Sequence, residues 1–402
     1  MPLAVCPPQG NRCRFLRHGI LSVALGLSAC AGLPTTPQPH WSSPAKAELL
    51  DGSLLGLSEL PEQASVDILS LDDSMRRFAD RFRDTASRRD NRTPVERLLL
   101  ALQRDEAFQV RYAANRTLTA SQTFHAGTGN CLSFTTMVVA LAREMGLRAY
   151  FQLVDVPQIA EQQEDLLLIY RHVNAEVRTL AGARYEVDFN APYARSPYPR
   201  RIITDQQALA LYYNNLAAEA LVAGDNPTAL SMLKAAIDRA PELAPPWVNL
   251  GVLYRRTGNP AAAEAAYLQA LGTEHGDRSA RDNLAALYAQ YGVERRARPL
   301  RQQLNREAEN DPYAQYERGL MALGAGRYDL AAQSFNSAVR KNAEIAHFHA
   351  GLGRAQIGLN DPLAARQSLI RALVLGADPE SMQEWKALLE GLLQGSAHTQ
   401  PR

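Results

Sequence analysis

An excess of either charge is missing. Lysine and arginine number 43 against 42 aspartate and glutamate, so the chain lacks the basic footprint of a nucleic-acid binder. Long apolar runs are missing as well. Past the N-terminal leader, no segment approaches the roughly 18 residues that a bilayer span needs. Cysteine is scarce: Cys6, Cys13, Cys30 and Cys131 are the four in 402 residues. No calcium-binding set of acids is evident, and no cofactor is implied. His347 and His349 stand two apart on a helical stretch and point to different faces, so no metal pair is expected there. What is present is enough apolar content, 46%, and enough length for two domains of ordinary size.

The N-terminus reads as an export signal. Arg12, Arg14 and Arg17 form a positive region without acids, and residues 19–27 are an apolar stretch too short to span a membrane. "LSAC", residues 27–30, then resembles the bacterial lipobox. By that resemblance residues 1–29 are removed and Cys30 carries acyl chains, each buried CH₂ contributing about 0.8 kcal/mol of anchoring. The alternative is an ordinary secretory signal. Ala31, where an aspartate would mark inner-membrane retention, favours the periplasmic face of the outer membrane. Residues 30–48, with four prolines, read as a flexible tether. With two cysteines lost and one lipidated, Cys131 is the only thiol of the mature globular chain. It has no disulfide partner in a compartment where disulfides persist.

The C-terminal half repeats. In a 34-residue frame starting at Ala210, the twentieth position is Ala229, Ala263, Ala297, Ala331 and Ala365. The eighth is Ala217, Gly251, Ala285, Gly319 and Gly353, and the twenty-fourth is Leu233, Tyr267, Arg301, Phe335 and Leu369. "WVNLGVLY", residues 247–254, followed by Ala263 and Tyr267, resembles the tetratricopeptide pattern. Small residues at positions eight and twenty let the two helices of a unit approach closely. Five repeats are expected over 210–379, with a capping helix over 380–394. The third unit departs most, with Arg281, Arg301 and Leu304 at core or small positions. The resemblance implies a protein or peptide partner held in the repeat groove; a structural spacer is the alternative.

Residues 49–205 carry the thiol. "GTGNCLSFTTMVVALAREMG" reads as a helix beginning near Cys131, capped by Asn130 or Thr128 and stopped at Gly146. Phe134, Met137, Val138, Leu141 and Met145 form its apolar face. "RAYFQLVDV", "HVNAEVRTL" and "ARYEVDF" read as strands, the last two joined by a short "AGA" turn. Helix followed by three or more strands makes this an α+β domain. The proline-rich connector "APYARSPYPRRIIT" reads as an extended run packed on both domains.

This order resembles the transglutaminase-like superfamily, which shares thiol chemistry with papain-like proteases. Gly129-Asn130-Cys131 matches its Gly-x-Cys at a helix start, His172 its base at a strand start, and Asp188 its orienting acid on the next strand. The spacings are 41 and 16 residues, and the likeness covers about 140 residues. Many members follow the histidine with Ala-Trp, where this chain has "HVNAEV". The resemblance implies an α+β transglutaminase-like domain followed by an all-α tetratricopeptide solenoid. It also implies a thiol enzyme cleaving or transferring at amide bonds through Cys131, His172 and Asp188; water as the default acceptor favours hydrolysis, by a peptidase or amidase, over cross-linking.

Physical chemistry limits what each part contributes. A helix N-terminus favours a thiolate by about 0.3–1 kcal/mol. Lowering a thiol pKa by two units raises the thiolate fraction about 25-fold but lowers nucleophilicity about tenfold, a net gain of only two- or threefold. The histidine must therefore also act as an acid on the leaving amine. Oxyanion donors, at about 2.7–4 kcal/mol each, must supply another share. The Cys131 N–H is one such donor and Gln122 a candidate second. His125 is a rival base, and Cys131 as inert core filler is the bland reading. An inactive fold serving as a binding or assembly lipoprotein is the functional alternative.

Overall fold

The helix that follows Asn130 is buried on nearly every side, and the α/β part is built around it. In the computed structural model, residues 41–63, 65–83, 93–98, 110–155, 172–179, 182–189, 197–273, 277–377 and 379–397 are described. The leader, the lipobox with Cys30, the tether up to residue 40, and His275 lie outside them.

Among the helices before the buried helix α3 (Cys131–Glu144) are α1 (Asp73–Arg83) and α2 (Ala120–Ala126). Every residue of α3 from Leu132 to Ala142 is buried. Its hydroxyls are satisfied: Thr135 Oγ1 donates to the Val173 carbonyl at 3.0 Å and Thr136 Oγ1 to the Leu132 carbonyl at 2.7 Å. Burial without an orphaned polar group is what makes such a helix affordable. Strands β1 (Arg111–Tyr112) and β2 (Thr128–Gly129) form a short parallel pair before it.

The sheet against α3 contains β3 (Arg148–Val154), β4 (His172–Arg178), β5 (Arg184–Val187) and β6 (Arg200–Ile203). Its order is β5-β4-β3-β6, with every neighbour antiparallel. Val173, Ala175 and Val177 of β4 join the core that contains α3. The alternate residues His172, Asn174 and Glu176 lie on the opposite face. The β6 strand lies inside the connector and was not expected as a sheet member. Its four residues, two of them arginine, carry no alternation, and pairing with β3 is what makes them a strand.

Five helix pairs follow: α4 (Asp205–Ala223) with α5 (Asn226–Arg239), α6 (Ala244–Arg256) with α7 (Pro260–Leu271), α8 (Arg278–Gln290) with α9 (Glu294–Asn310), α10 (Pro312–Gly324) with α11 (Tyr328–Lys341), and α12 (Ala346–Gly358) with α13 (Pro362–Leu375). Helix α14 (Pro379–Ala397) covers the last pair through Trp385, which is 3% exposed. The small residue at position eight has a steric cause. A Cβ built on Gly251 would lie 2.2 Å from the Tyr267 ring, the twenty-fourth residue of the same unit. The third unit still forms a pair. Arg301 turns outward to Glu294, Arg281 pairs with Glu307, and Leu304 goes inward.

The expected tether differs at its described end. Trp41 stacks on Tyr288 at 6.2 Å and meets Tyr291 edge-on at 5.4 Å. Lys46 lies 5.0 Å from the Trp247 ring. Leu49, placed at the start of the thiol domain, is buried among repeat residues, and its carbonyl accepts from Tyr254 Oη at 2.7 Å. Residues 41–49 are thus packed on the solenoid, because their large apolar side chains find a repeat surface to cover.

Among the described residues the solenoid meets the sheet through the first repeat and through the connector. Helix α4 shares a core with α3 and the sheet through Ala208, Leu211, Tyr212 and Tyr213. Arg143, near the end of α3, makes a two-pronged ion pair with Asp205 at 2.6 and 2.9 Å. Further along, Tyr198 of the connector is 3% exposed and clusters with Val154, Tyr316 and Phe348. Its ring meets Tyr313 at 6.1 Å and Tyr316 at 6.5 Å. Tyr313, Tyr316 and Phe348 belong to the first helices of the fourth and fifth pairs. First helices of successive pairs pack on one another, α4 on α6, α6 on α8 and α10 on α12, which places them on the inner side of the array. A groove open to a partner along its whole length is therefore not what the chain has. At the fourth and fifth pairs its own Tyr198 occupies the inner wall.

Tyr198→Ala should lower unfolding free energy by about 3 kcal/mol, as for truncation of a buried aromatic. Leu363→Ala, at a position 70% exposed, should change it by less than about 0.5 kcal/mol. Urea denaturation checks both, and equal effects would contradict the docking role of Tyr198.

Candidate functional site

The turn before α3 is shaped by backbone pairing. Tyr112 pairs in register with Gly129, and the Ala113 N–H donates to the Gly129 carbonyl at 3.0 Å. A Cβ at Gly129 would sit 2.7 Å from Ser133 Cβ, so the close approach excludes a side chain there. Asn130 caps the helix, its Oδ1 accepting from the Ser133 N–H at 2.9 Å. Cys131 is the first helical residue, a free and partly exposed thiol. Its own N–H lies in the first turn, where the helix supplies no acceptor.

The cap is itself held. Asn130 Nδ2 donates to Thr117 Oγ1 at 2.8 Å. Thr117 donates through its hydroxyl at 2.6 Å and its N–H at 2.8 Å to Glu219 Oε1 on α4. Burial pushes the Glu219 carboxyl above its ordinary value, and the two Thr117 bonds oppose that rise. A residue of the first repeat thus reaches, through one threonine, the residue that caps the thiol's helix.

His172 opens β4. Its Nε2 lies 2.7 Å from Asp188 Oδ2, just past β5, and the Asp188 side chain is fully buried. Asn174 Nδ2 donates to the same oxygen at 3.1 Å. The Cys131 thiol is in hydrogen-bond contact with the His172 ring. Burial acts to lower the imidazolium's pKa. Hydrogen bonds to Asp188 and Cys131, and their negative charge, outweigh it and push it up to about 9. The three residues expected from the sequence, Cys131, His172 and Asp188, therefore lie together.

The other candidates lie elsewhere or have other work. His125 Nε2 is 2.6 Å from Asp72 Oδ2. Asp72 accepts from the Ser74 and Met75 N–H groups at the start of α1. Hydrogen bonds from Ser74, Ser121, Met75 and His125 hold its carboxyl well below the usual range, against an opposing effect of burial. His125 thus belongs to a helix cap. Gln122 closes a capping box, its Oε1 accepting from the Thr119 N–H at 3.0 Å. His349 Nε2 is 2.9 Å from the Ala343 carbonyl, and His347 packs edge-on against Trp385 at 5.2 Å. Among the described residues no group of three or more His, Cys, Asp and Glu is arranged to hold a metal, and no helix is long and apolar enough to cross a membrane.

Asn174, Thr117 and Glu219 were not singled out from the sequence. Asn174 had a usable signal: two residues after His172 in a strand, it must share the histidine's face. The Thr117–Glu219 contact joins residues 102 apart, with no local pattern to announce it.

Residues 214–283, 278–346 and 316–382 match the family model of the tetratricopeptide repeat. The C-terminal region is an all-helical solenoid of that kind, a type that commonly binds protein or peptide partners. No curated protein matches the chain. Among solved structures, YrrB, described as a TPR protein with an unusual peptide-binding site, is 18% identical over 44% of this chain and 92% of its own, with a TM-score of 0.24. The pilF protein of Pseudomonas aeruginosa is 17% identical over 49% and 94%, with a TM-score of 0.26. MamA from Desulfovibrio magneticus RS-1 is 20% identical over 43% and 96%, with a TM-score of 0.24. The helix pairs and the family-model match carry the assignment; these likenesses add no argument to it.

The histidine makes stability depend on pH. Its folded value of about 9 lies above its ordinary 6.5. Its contribution is therefore complete below about pH 6.5 and is lost as pH rises through about 9. The urea midpoint of the full chain should fall across that window, and His172→Gln should flatten the fall. A midpoint with the same slope in both proteins would exclude His172 as its source.

Proposed function

We propose that the chain is a lipid-anchored thiol enzyme of the transglutaminase-like type, hydrolysing amide bonds, with the repeat region holding a protein or peptide partner. One observation carries the reading: a thiol on the first residue of a capped helix, in contact with an imidazole that is itself fixed on a buried carboxylate. A core-filling cysteine needs no such partners, and a solvated histidine needs no Asp188 and Asn174 behind it.

The chemistry follows from these positions. Cys131 Sγ passes its proton to the His172 ring and attacks the amide carbon, forming the S–C bond while the carbonyl electron pair moves to oxygen. That oxygen takes the Cys131 N–H, an interaction worth about 2.7–4 kcal/mol when aligned with the developing charge. Collapse breaks the C–N bond. His172 gives its proton to the departing nitrogen, and a thioester remains. A water, deprotonated by His172, then attacks the thioester carbon. The carboxylic acid leaves and the thiolate is restored. The hydrogen bonds and charge that raise the His172 value support its acid role, since they let the ring hold the proton taken from Cys131 until the amine departs with it.

The anchor rests on the lipobox-like "LSAC" with Cys30, and the absence of aspartate at position 31 supports the periplasmic face of the outer membrane. The repeat match supports a second reading, a binding or assembly lipoprotein whose thiol site is silent.

The test is the pH profile of iodoacetamide alkylation at Cys131, followed by the mass of the Cys131 peptide, beside release of amine from a peptide-amide library. Near neutral pH, His172→Ala should slow alkylation by about two- to threefold through loss of the paired imidazolium. Cys131→Ala should abolish amine release. Indistinguishable profiles with and without His172, and no amine released, would favour the silent-site reading.

A further inference from the structure

Three aromatic side chains lead from the thiol's helix to the surface. Phe134 stands three residues after Cys131 on α3, so the two share a helix face. Its ring meets Phe189 edge-on at 5.0 Å. Phe189 directly follows Asp188, the residue that holds His172. The Phe189 ring in turn lies 5.4 Å from that of Tyr112, tilted by 39°. Tyr112 pairs in register with Gly129, two residues before Cys131, yet it keeps 59% of its surface exposed. The stack therefore begins one turn from the thiol, passes beside the acid, and reaches Tyr112, a ring with most of its surface exposed.

The backbone pairing does not require that ring. Strand β1 has two residues, both exposed, and its bonds to β2 and the turn are backbone bonds. Any residue could make them. A tyrosine that leaves most of its surface in water while an aromatic stack fixes its plane is preorganised for contact with another flat apolar group.

We propose that Tyr112 and Phe189 form the subsite for the acyl-donor side chain next to the scissile amide, and that this side chain is aromatic. The proposal rests on the reading of Cys131 as the acylated nucleophile. A peptide whose carbonyl lies against Cys131 then has its neighbouring side chain against the Phe189–Tyr112 face.

Two alkylating probes test it on the full chain: iodoacetamide and N-benzyl iodoacetamide. In both, Sγ displaces iodide and forms the same S–CH₂ bond, so the ratio of their rates at Cys131 reports the benzyl group's contact. The aromatic probe should react about three- to tenfold faster, the range expected of one aromatic pair. Tyr112→Ala should bring the ratio to about one, and Tyr112→Phe should keep it. Equal rates for the two probes, or a preference that survives Tyr112→Ala, would overturn the subsite. His172→Ala provides the separate control. If it leaves the iodoacetamide rate unaltered, the nucleophile reading fails and the subsite falls with it. If it slows that rate while the probe ratio stays at one, only the subsite fails.

Discussion

Helix α4 belongs to two cores at once. Its first half, from Ala208 to Tyr213, is buried against α3 and the sheet, while Ala217 and Leu221 are buried among the next repeats. A helix that is apolar on all sides has to be enclosed on all sides. Neither the α/β part nor the repeat array can enclose it alone. The two parts therefore share one hydrophobic ledger across α4, and the positions of Asp205 and Glu219 follow from it. Arg143 is drawn to one end of the helix and Thr117 to the other, so α3 is held near both of its ends by the first repeat.

Inside that frame the site depends on balance rather than on one strong term. Burial alone would strip the proton from His172. Asp188 and Cys131 restore it, and Asn174 shares the work of holding Asp188. The carboxylate is buried with two donors on one oxygen, the condition under which a buried charge is tolerated. The thiol gains its place from a cap two bonds removed from the solenoid. None of these contributions exceeds a few kcal/mol, and they act on one cluster of side chains rather than independently.

Much of this was legible in the residues. Small positions eight and twenty announced the helix pairs, because a ring such as Tyr267 leaves no room for a Cβ at Gly251. Gly-Asn-Cys before an apolar run announced a capped helix, and the β-formers after Gly146 announced strands. Strand β6 was not legible, since "RRII" becomes a strand only by pairing with β3. Nor was the docking of Trp41 and Leu49 on the repeats; packing of the connector on both parts was expected, but not that Tyr198 and Tyr313 would make it. Those depend on surfaces that exist only after distant helices have packed. Arg301 misled for a related reason: its position in the frame is a core position, yet the helix turns it outward to Glu294 and lets Leu304 fill the space.

Repeat arrays ordinarily grow and shrink by whole units, because each unit touches only its neighbours. This array is tied through α4 at its first unit, through Trp41 and Leu49 at its second and third, and through Tyr198 at its fourth and fifth. The units between the ties act as the links of a closed chain. Inserting or deleting one would move Tyr313 and Tyr316 by a full repeat away from Tyr198, and the β3–β6 edge would lose its cover. Repeat number is thus constrained by loop closure inside the ring, while only the stretch beyond the fifth unit remains at liberty to lengthen.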